Sequence, residues 1–213
     1  MASKVHVVRH AESVHNVDKD FDCLDPGLTD LGYEQAQNLG NVFPYSDNVG
    51  LVISSPLRRA IQTTLLAFTN VLDKIYYEDS TGNGMKGGAK LVLDPDLQER
   101  NALPCDSGSD RQTQGLEFPN LDFSHLEPAW TSKVGIYAVD DDSVGKRAAK
   151  FRGNLREKSL ALKDGEKGDI VIVTHGVFMK FLVGDSAIDL PKAGWASYTI
   201  ETGQDRAAVL VPA

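Results

Sequence analysis

The run Asp169-Ile170-Val171-Ile172-Val173-Thr174-His175-Gly176 decides the fold class. Its apolar, β-branched residues are continuous rather than alternating, the pattern of a strand buried on both faces inside a parallel sheet. Three similar runs lie upstream. Val5-His6-Val7-Val8 reads as a first buried strand, Leu51-Val52-Ile53 as a second, and Lys90-Leu91-Val92-Leu93 as a third, stopped by Asp94-Pro95. Trp195 to Ile200 and Ala207 to Val211, around Thr202-Gly203-Gln204-Asp205, read as a closing hairpin.

Helical patterns separate these strands. Thr29 is a candidate N-cap with Asp30 in the first turn, and Tyr33, Ala36, Leu39 and Phe43 follow as a core-facing stripe that Pro44 ends. Ser55 is a candidate cap with Pro56 at the first helical position. Leu57, Ile61, Thr64, Leu65, Phe68 and Leu72 then predict a helix of about four turns. Val144, Ala148, Phe151, Leu155 and Leu162 predict a long amphipathic helix that Asp164 to Gly168 ends. Val17 to Gly27 and Ser80 to Gly88 read as surface loops. Alternating strands and helices imply an α/β fold with a mostly parallel sheet covered on both faces. Residues 96–137 carry no clear periodicity, too long a stretch for a plain loop, and are expected to form an inserted cap over the site in a single domain spanning 1–213.

The chain has 213 residues, 41% hydrophobic and 24% charged, with a formal net charge of −8. That balance argues against non-specific nucleic-acid binding and against an anionic membrane surface. Two cysteines, Cys23 and Cys105, do not make a disulfide scaffold, and no apolar run reaches transmembrane length. With no signal peptide evident before the first strand, a cytoplasmic, reduced protein is expected. An acidic protein binds an anionic substrate only by gathering cations locally.

In parallel α/β sheets ligands bind beyond the carboxyl ends of the strands. That rule collects Arg9-His10, the helix start after Ser54-Ser55 with Arg58 and Arg59, the region of Glu99, and His175. An arginine fork matches phosphate oxygens, and imidazole serves as nucleophile, acid or base near neutral pH. Asn16 adds a side chain that can donate to an anion. A metal reading of His6, His10 and His15 is disfavoured, because Val-His-Val-Val is strand-like and does not bring His6 and His10 together.

Together, Arg9-His10-Ala11-Glu12 with Asn16, Leu28-Thr29-x-x-Gly32, Ser54-Ser55-Pro56-Leu57-x-Arg59-Ala60-x-x-Thr63, Leu97-x-Glu99 and Val173-Thr174-His175-Gly176 resemble the histidine phosphatase superfamily. Within it, the chain is similar to the phosphoglycerate mutase-like branch, especially fungal and plant members. Val14-His15-Asn16 and Pro104-Cys105-Asp106-x-Gly108-Ser109 suggest that subgroup. The resemblance implies a three-layer α/β/α sandwich and a phosphohistidine intermediate. Carried over by motif, His10 is the nucleophile and Glu99 the proton donor. Arg9, Arg59 and His175 hold the phosphoryl oxygens, and Asn16 and Gly176 complete substrate binding. Arg59 is preferred to Arg58 because the motif places its arginine directly before Ala60. Ala11 departs from the family's usual glycine.

The resemblance thus implies a metal-independent phosphatase acting on a small phosphorylated molecule, with no cofactor and no nucleic-acid or membrane partner. Its oligomeric state is left open, a homodimer being one option. A mutase is the near variant, but the family's mutases carry Glu-Arg-His-Tyr where this chain has Glu99-Arg100-Asn101-Ala102. A fold recruited for other acid–base chemistry, or kept as a binding module, forms the remaining alternative. Arg100, Arg111, Phe118, Phe123 and Trp130 are candidate specificity contacts in the cap.

Overall fold

In the computed structural model, which describes residues 3–162, 167–203 and 205–213, the four apolar runs become adjacent parallel strands. β1 (Lys4–Arg9), β2 (Val49–Ser54), β3 (Lys90–Leu93) and β4 (Asp169–Thr174) are joined by β5 (Trp195–Thr202) and β6 (Ala208–Pro212). Their order in the sheet is β3-β2-β4-β1-β5-β6. The first four run parallel, while β5 pairs antiparallel with β1, and β6 with β5. Gln204, in the expected turn of this closing hairpin, lies outside the described residues.

The continuous apolar character of β4 has a direct cause: all six of its residues are buried. Side chains on a strand alternate between faces, and here both faces are covered. Val8, Val52, Val171 and Val173 pack on one side with Ala36, Leu39 and Ile61, which come from α2 (Asp30–Val42) and α3 (Arg58–Ala67). Val5, Val7, Ile53, Ile170 and Ile172 pack on the other with Phe151, Leu155, Phe178 and Leu182, from α5 (Asp141–Leu162) and α6 (Phe178–Val183). Each buried Val, Leu, Ile or Phe among them contributes about 1.5–3 kcal/mol relative to exposure. The result is a three-layer α/β/α sandwich. No helix among the described residues is long and apolar enough to cross a membrane.

Register then aligns the strand ends. Arg9 pairs with Thr174, and Ser54 pairs with both Val173 and Leu93. Whatever follows these residues therefore emerges at one edge of the sheet. Thr29 caps α2 by accepting from Gly32 N–H at 3.0 Å, and its hydroxyl donates to Glu12 Oε1 at 2.8 Å. The helix lies so close to the chain after β1 that a Cβ on Gly32 would sit 2.0 Å from the Glu12 carbonyl oxygen.

Several local expectations need correction. Tyr33 is 39% exposed, on the rim of α2 rather than in its core stripe, and its hydroxyl accepts from Gln62 Nε2 at 3.2 Å. The helix after Pro56 starts at Arg58 with Leu57 as N-cap. It runs ten residues, to Ala67, so Phe68 is its C-cap and Leu72 is buried in the following turn. Ser55 has a different employment, described below. The loop expected over 17–27 starts only at Lys19, after a short helix over Val14–Asp18, and is not merely superficial: Asp25 is fully buried and accepts from Arg58 N, Ser109 N and Gln114 Nε2. Lys163 to Glu166, within the expected end of α5, lie outside the described residues.

Residues 96–137 contain short 3-10 turns and one helix, α4 (Arg111–Glu117). Trp130, Leu126, Phe123, Leu121 and Phe118 anchor this segment in the same apolar cluster as α2 and α3.

Candidate active site

A cavity of about 320 Å³ opens at the aligned strand ends, lined by Arg9, His10, His15, Asn16, Arg59, Glu99, Asp106, Gly176, Val177, Lys180, Asp189 and Lys192. Its size suits a small molecule. His10, one residue past β1, is 3% exposed. Its Nδ1 donates to the Ala11 carbonyl at 2.7 Å. A carbonyl only accepts, so Nδ1 holds the ring proton and Nε2 keeps its lone pair. Arg59 Nε donates to that Nε2 at 3.2 Å. The His10 pKa is lowered well below the ordinary histidine value, by burial first and then by Arg59 and Lys192. The ring is therefore neutral and nucleophilic at Nε2.

Arg59, in the first turn of α3, is 1% exposed. Besides His10 it donates through Nη1 to the Cys105 carbonyl at 2.6 Å and through Nη2 to Asp106 Oδ1 at 3.0 Å. Its neighbour Arg58 points elsewhere and pairs with Glu117 at 2.7 Å. Arg9 donates through Nη1 to Asp189 Oδ1 at 3.0 Å and to the Leu190 carbonyl at 2.6 Å, leaving its Nε without a partner. Gly176 explains itself by space: a Cβ there would come within 3.0 Å of Arg9 Nη2.

His175, one residue past β4, is fully buried with its ring centroid 5.1 Å from that of His10. Its Nε2 shares a proton with Ser55 Oγ at 2.8 Å, while Nδ1 has no partner. Ser55 Oγ also accepts from Leu57 N at 3.3 Å. When the hydroxyl donates to Nε2, the remaining His175 proton resides on Nδ1 as an uncommitted donor. Burial, Arg59 and His10 lower the His175 pKa well below its usual value, in that order.

Asn16, on the short helix α1 (Val14–Asp18), accepts from Ser13 N at 3.2 Å and meets His15 Nε2 through Nδ2 at 3.0 Å. One amide proton is left for the cavity. Glu99 sits where α6 begins. Its Oε1 accepts from Arg100 N at 2.8 Å and Phe178 N at 2.9 Å, and its Oε2 from Val177 N at 3.1 Å. Three backbone donors thus fix the carboxylate in orientation. Arg9, His10, Asn16, Arg59, Glu99 and Gly176 line one cavity, whereas His175 does not line it and lies buried against His10.

The sequence reading did not assign Asp106, His15, Lys180, Asp189 or Lys192 to the site, all of which line the cavity, or Lys133, which bonds to the Glu99 carbonyl. Asp106 is buried and ion-paired to Arg59, its pKa raised by burial and then by the nearby Glu99 charge; the Pro-Cys-Asp segment was its only signal. His15 lines the wall with its pKa lowered to about 4, by burial first and then by Arg59. Lys133 Nζ donates to Gln98 Oε1 at 2.7 Å and to the Glu99 carbonyl at 2.9 Å, and burial brings it down to about 7. Lys192 belongs to a loop without any recognisable pattern. Conversely, Arg100, Arg111, Phe118, Phe123 and Trp130 do not line the cavity. Trp130 is core, and Arg100 pairs with Asp141 at 2.8 Å.

Metal-ligand geometry among the described residues is confined to His15, Cys105 and Asp106, whose donor atoms lie within 4.8 Å of one another. These donors are committed: His15 to Ser13 and Asn16, Asp106 to Arg59. The Cys105 thiol is pushed up to about 11 by burial first and then by Asp106, so it resists becoming the thiolate a metal needs. His6 is distant from the cavity, held by Ser197 Oγ at 2.9 Å and Asp169 Oδ2 at 3.4 Å.

The chain is similar to known proteins. A phosphoglycerate mutase-like protein of Arabidopsis thaliana is 31% identical over 221 residues, covering 87% of this chain and 75% of its own. A probable phosphatase of Schizosaccharomyces pombe is 29% identical over 210 residues, covering 90% of this chain and 87% of its own. The solved mycobacterial glucosyl-3-phosphoglycerate phosphatase superposes with a TM-score of 0.61 at 18% identity, over 99% of this chain and 97% of that one; that likeness concerns the fold. Residues 5–207 match the histidine phosphatase superfamily (branch 1), and the chain belongs to that superfamily.

Proposed function

We propose that this protein is a phosphatase that hydrolyses a small organic phosphate monoester through a phosphohistidine on His10, without a metal. One observation carries the reading: the Nδ1–H bond from His10 to the Ala11 carbonyl directs an unprotonated Nε2 into a cavity lined by guanidinium and ammonium groups. Phosphoryl transfer asks mainly for positioning and for charge stabilisation on the equatorial oxygens. Arg9 and Arg59 supply that charge, with donors from His175 and Asn16.

In the first step Nε2 attacks phosphorus, the P–N bond forms and the P–O bond to the leaving alkoxide breaks. Arg59 Nε then moves its hydrogen bond from Nε2 to a phosphoryl oxygen, while Asp106 holds the guanidinium in place. Glu99 relays to the alkoxide a proton taken from the monoanionic phosphate ester as it binds, and is left as a carboxylate. In the second step that carboxylate takes a proton from water, which attacks phosphorus; the P–N bond breaks and inorganic phosphate is released. The name of the fission-yeast relative, a probable phosphatase, agrees with hydrolysis. The Arabidopsis relative's name keeps mutase-type transfer as the second reading.

The test is phosphate release from an aryl phosphate and from a panel of phosphorylated metabolites, with and without excess chelator. Release that persists in chelator and disappears in His10→Ala is expected. Isomerised phosphoester without net phosphate release would point to a mutase. Loss of turnover in chelator, restored by a divalent ion, would overturn metal independence.

A further inference from the structure

Lys192 precedes β5 on a loop that is fixed against the strand carrying the nucleophile. Arg9 N–H donates to the Gly194 carbonyl at 3.0 Å, Ala193 N–H to the His10 carbonyl at 3.4 Å, and Gly194 N–H to the Pro191 carbonyl at 2.9 Å. Ala193 takes φ of +57°, an unfavourable left-handed conformation for alanine that surrounding contacts must hold. The loop is therefore built to a shape, and Lys192 lines the cavity wall beside Arg9, His10, His15 and Arg59.

Charge decides what this lysine is for. Three carboxylates line the cavity, Glu99, Asp106 and Asp189, against four cations, Arg9, Arg59, Lys180 and Lys192. Arg9 is paired with Asp189 and Arg59 with Asp106. No carboxylate lies within ion-pair distance of Lys192 among the described residues. With the histidines neutral, removing Lys192 would leave the lining without net positive charge, inside a chain of formal net charge −8. A dianion would then have little reason to enter.

We propose that Lys192 is a fifth phosphoryl-binding group, placing its ammonium on an oxygen of the phosphate ester beside Arg9 and Arg59. This rests on the reading of the cavity as a phosphoryl site. The electrostatics agree. Burial first, then Arg9 and Arg59, bring Lys192 down to about 8, while Glu99 and Glu12 pull the other way. Its charge in turn acts on His10, His15 and His175, so it faces the groups that surround the nucleophile. A bound dianion supplies the missing negative partner and keeps Lys192 protonated. Anion affinity should accordingly decline as pH rises through about 8.

Calorimetric titration with tungstate, a phosphate mimic, tests this in the wild type, Lys192→Met and Lys192→Arg at pH 7 and pH 9. Charge-assisted hydrogen bonds of this kind correspond to roughly 10- to 100-fold in affinity. Lys192→Met should bind tungstate weaker by about that factor at pH 7, and Lys192→Arg should stay near wild type. Wild-type affinity should fall from pH 7 to pH 9 by more than that of Lys192→Met. The proposal is overturned if Lys192→Met binds within about twofold of wild type at both pH values. In that case an active, tungstate-inhibited enzyme would leave the phosphatase reading standing alone. Lys192-dependent tungstate binding in a protein that releases no phosphate would keep the anion site and sink the phosphatase reading. A wild type that does not bind tungstate sinks both. Matching thermal melts of the three proteins exclude misfolding as the cause.

Discussion

At the residue scale, the division of labour turns on adjacent side chains with different surroundings. Arg59 touches His10 Nε2, and Arg58 touches Glu117. Removing a preorganised charge-stabilising donor typically costs ~10²–10³ in rate. Arg59→Ala should lose about that much in kcat/KM for an aryl phosphate, with Arg58→Ala close to wild type; the reverse order would mean that the wrong arginine is in the site. Glu99 can be separated into its two roles by the leaving group. An acidic phenol hardly needs a proton donor, whereas an alkyl alkoxide does. Rapid mixing of Glu99→Gln with an aryl phosphate should give a burst of phenol followed by slow turnover, and the alkyl ester should show no burst. Equal losses on both esters without a burst would transfer the acid role to Asp106, the other buried carboxyl group on the cavity wall. Much of this chemistry was legible in the sequence, because His10, Arg9 and His175 directly follow or end apolar strands and strand ends converge in a parallel sheet. Ser55 was not, since a serine before proline reads as a helix cap; its bond to His175 spans 120 residues. Lys192 offered nothing to read at all, for its place depends on a loop conformation rather than a pattern.

At the element scale, the strands and principal helices were legible because each buries a local, repeating pattern: Ile-Val-Ile-Val in β4, and Ala36 with Leu39 in α2. Residues 96–137 were not, because what orders them is distant in sequence. Asp25 ties down Ser109 N and Gln114 Nε2 across 84 and 89 residues, and Trp130 packs over Gly108. A Cβ on Gly108 would fall 1.9 Å from the Trp130 ring. Gly108→Ala must therefore push the indole or the 104–109 turn aside, and overpacking of a core typically costs about 1–3 kcal/mol. Urea denaturation should show a loss in that range. Because the same turn presents Asp106 to Arg59, kcat/KM should fall as well. A variant with wild-type stability and activity would show that the turn and Trp130 are not rigidly packed.

At the scale of the whole molecule, an acidic chain has built a cationic cavity and kept its histidines there neutral by burying them. His10 and His175 are held well below the ordinary histidine value and His15 at about 4. An unfolded chain takes up protons on these rings as pH falls through about 6.5, whereas the folded chain resists until lower pH. Their contribution to stability is thus present above about pH 6.5 and lost as pH falls toward 4. The raised carboxyl groups Asp25, Asp94 and Asp106 act in the opposite direction, so a difference measurement isolates the histidine effect. The stability of His15→Gln should fall less between pH 7 and pH 5 than that of the wild type, read from denaturation midpoints. Identical slopes would mean that His15 titrates normally in the folded state.

The central claim is that the phosphoryl group passes through His10. Mixing the enzyme with a labelled aryl phosphate, quenching in alkaline denaturant and mapping peptides by mass spectrometry tests it most directly, because phosphohistidine survives base and is lost in acid. The wild type, and more strongly Glu99→Gln with its slowed second step, should carry base-stable, acid-labile phosphate on the peptide containing His10, and His10→Ala should carry none. Full turnover with no phosphorylated His10 peptide in either protein, or with the label on another residue, would contradict the account.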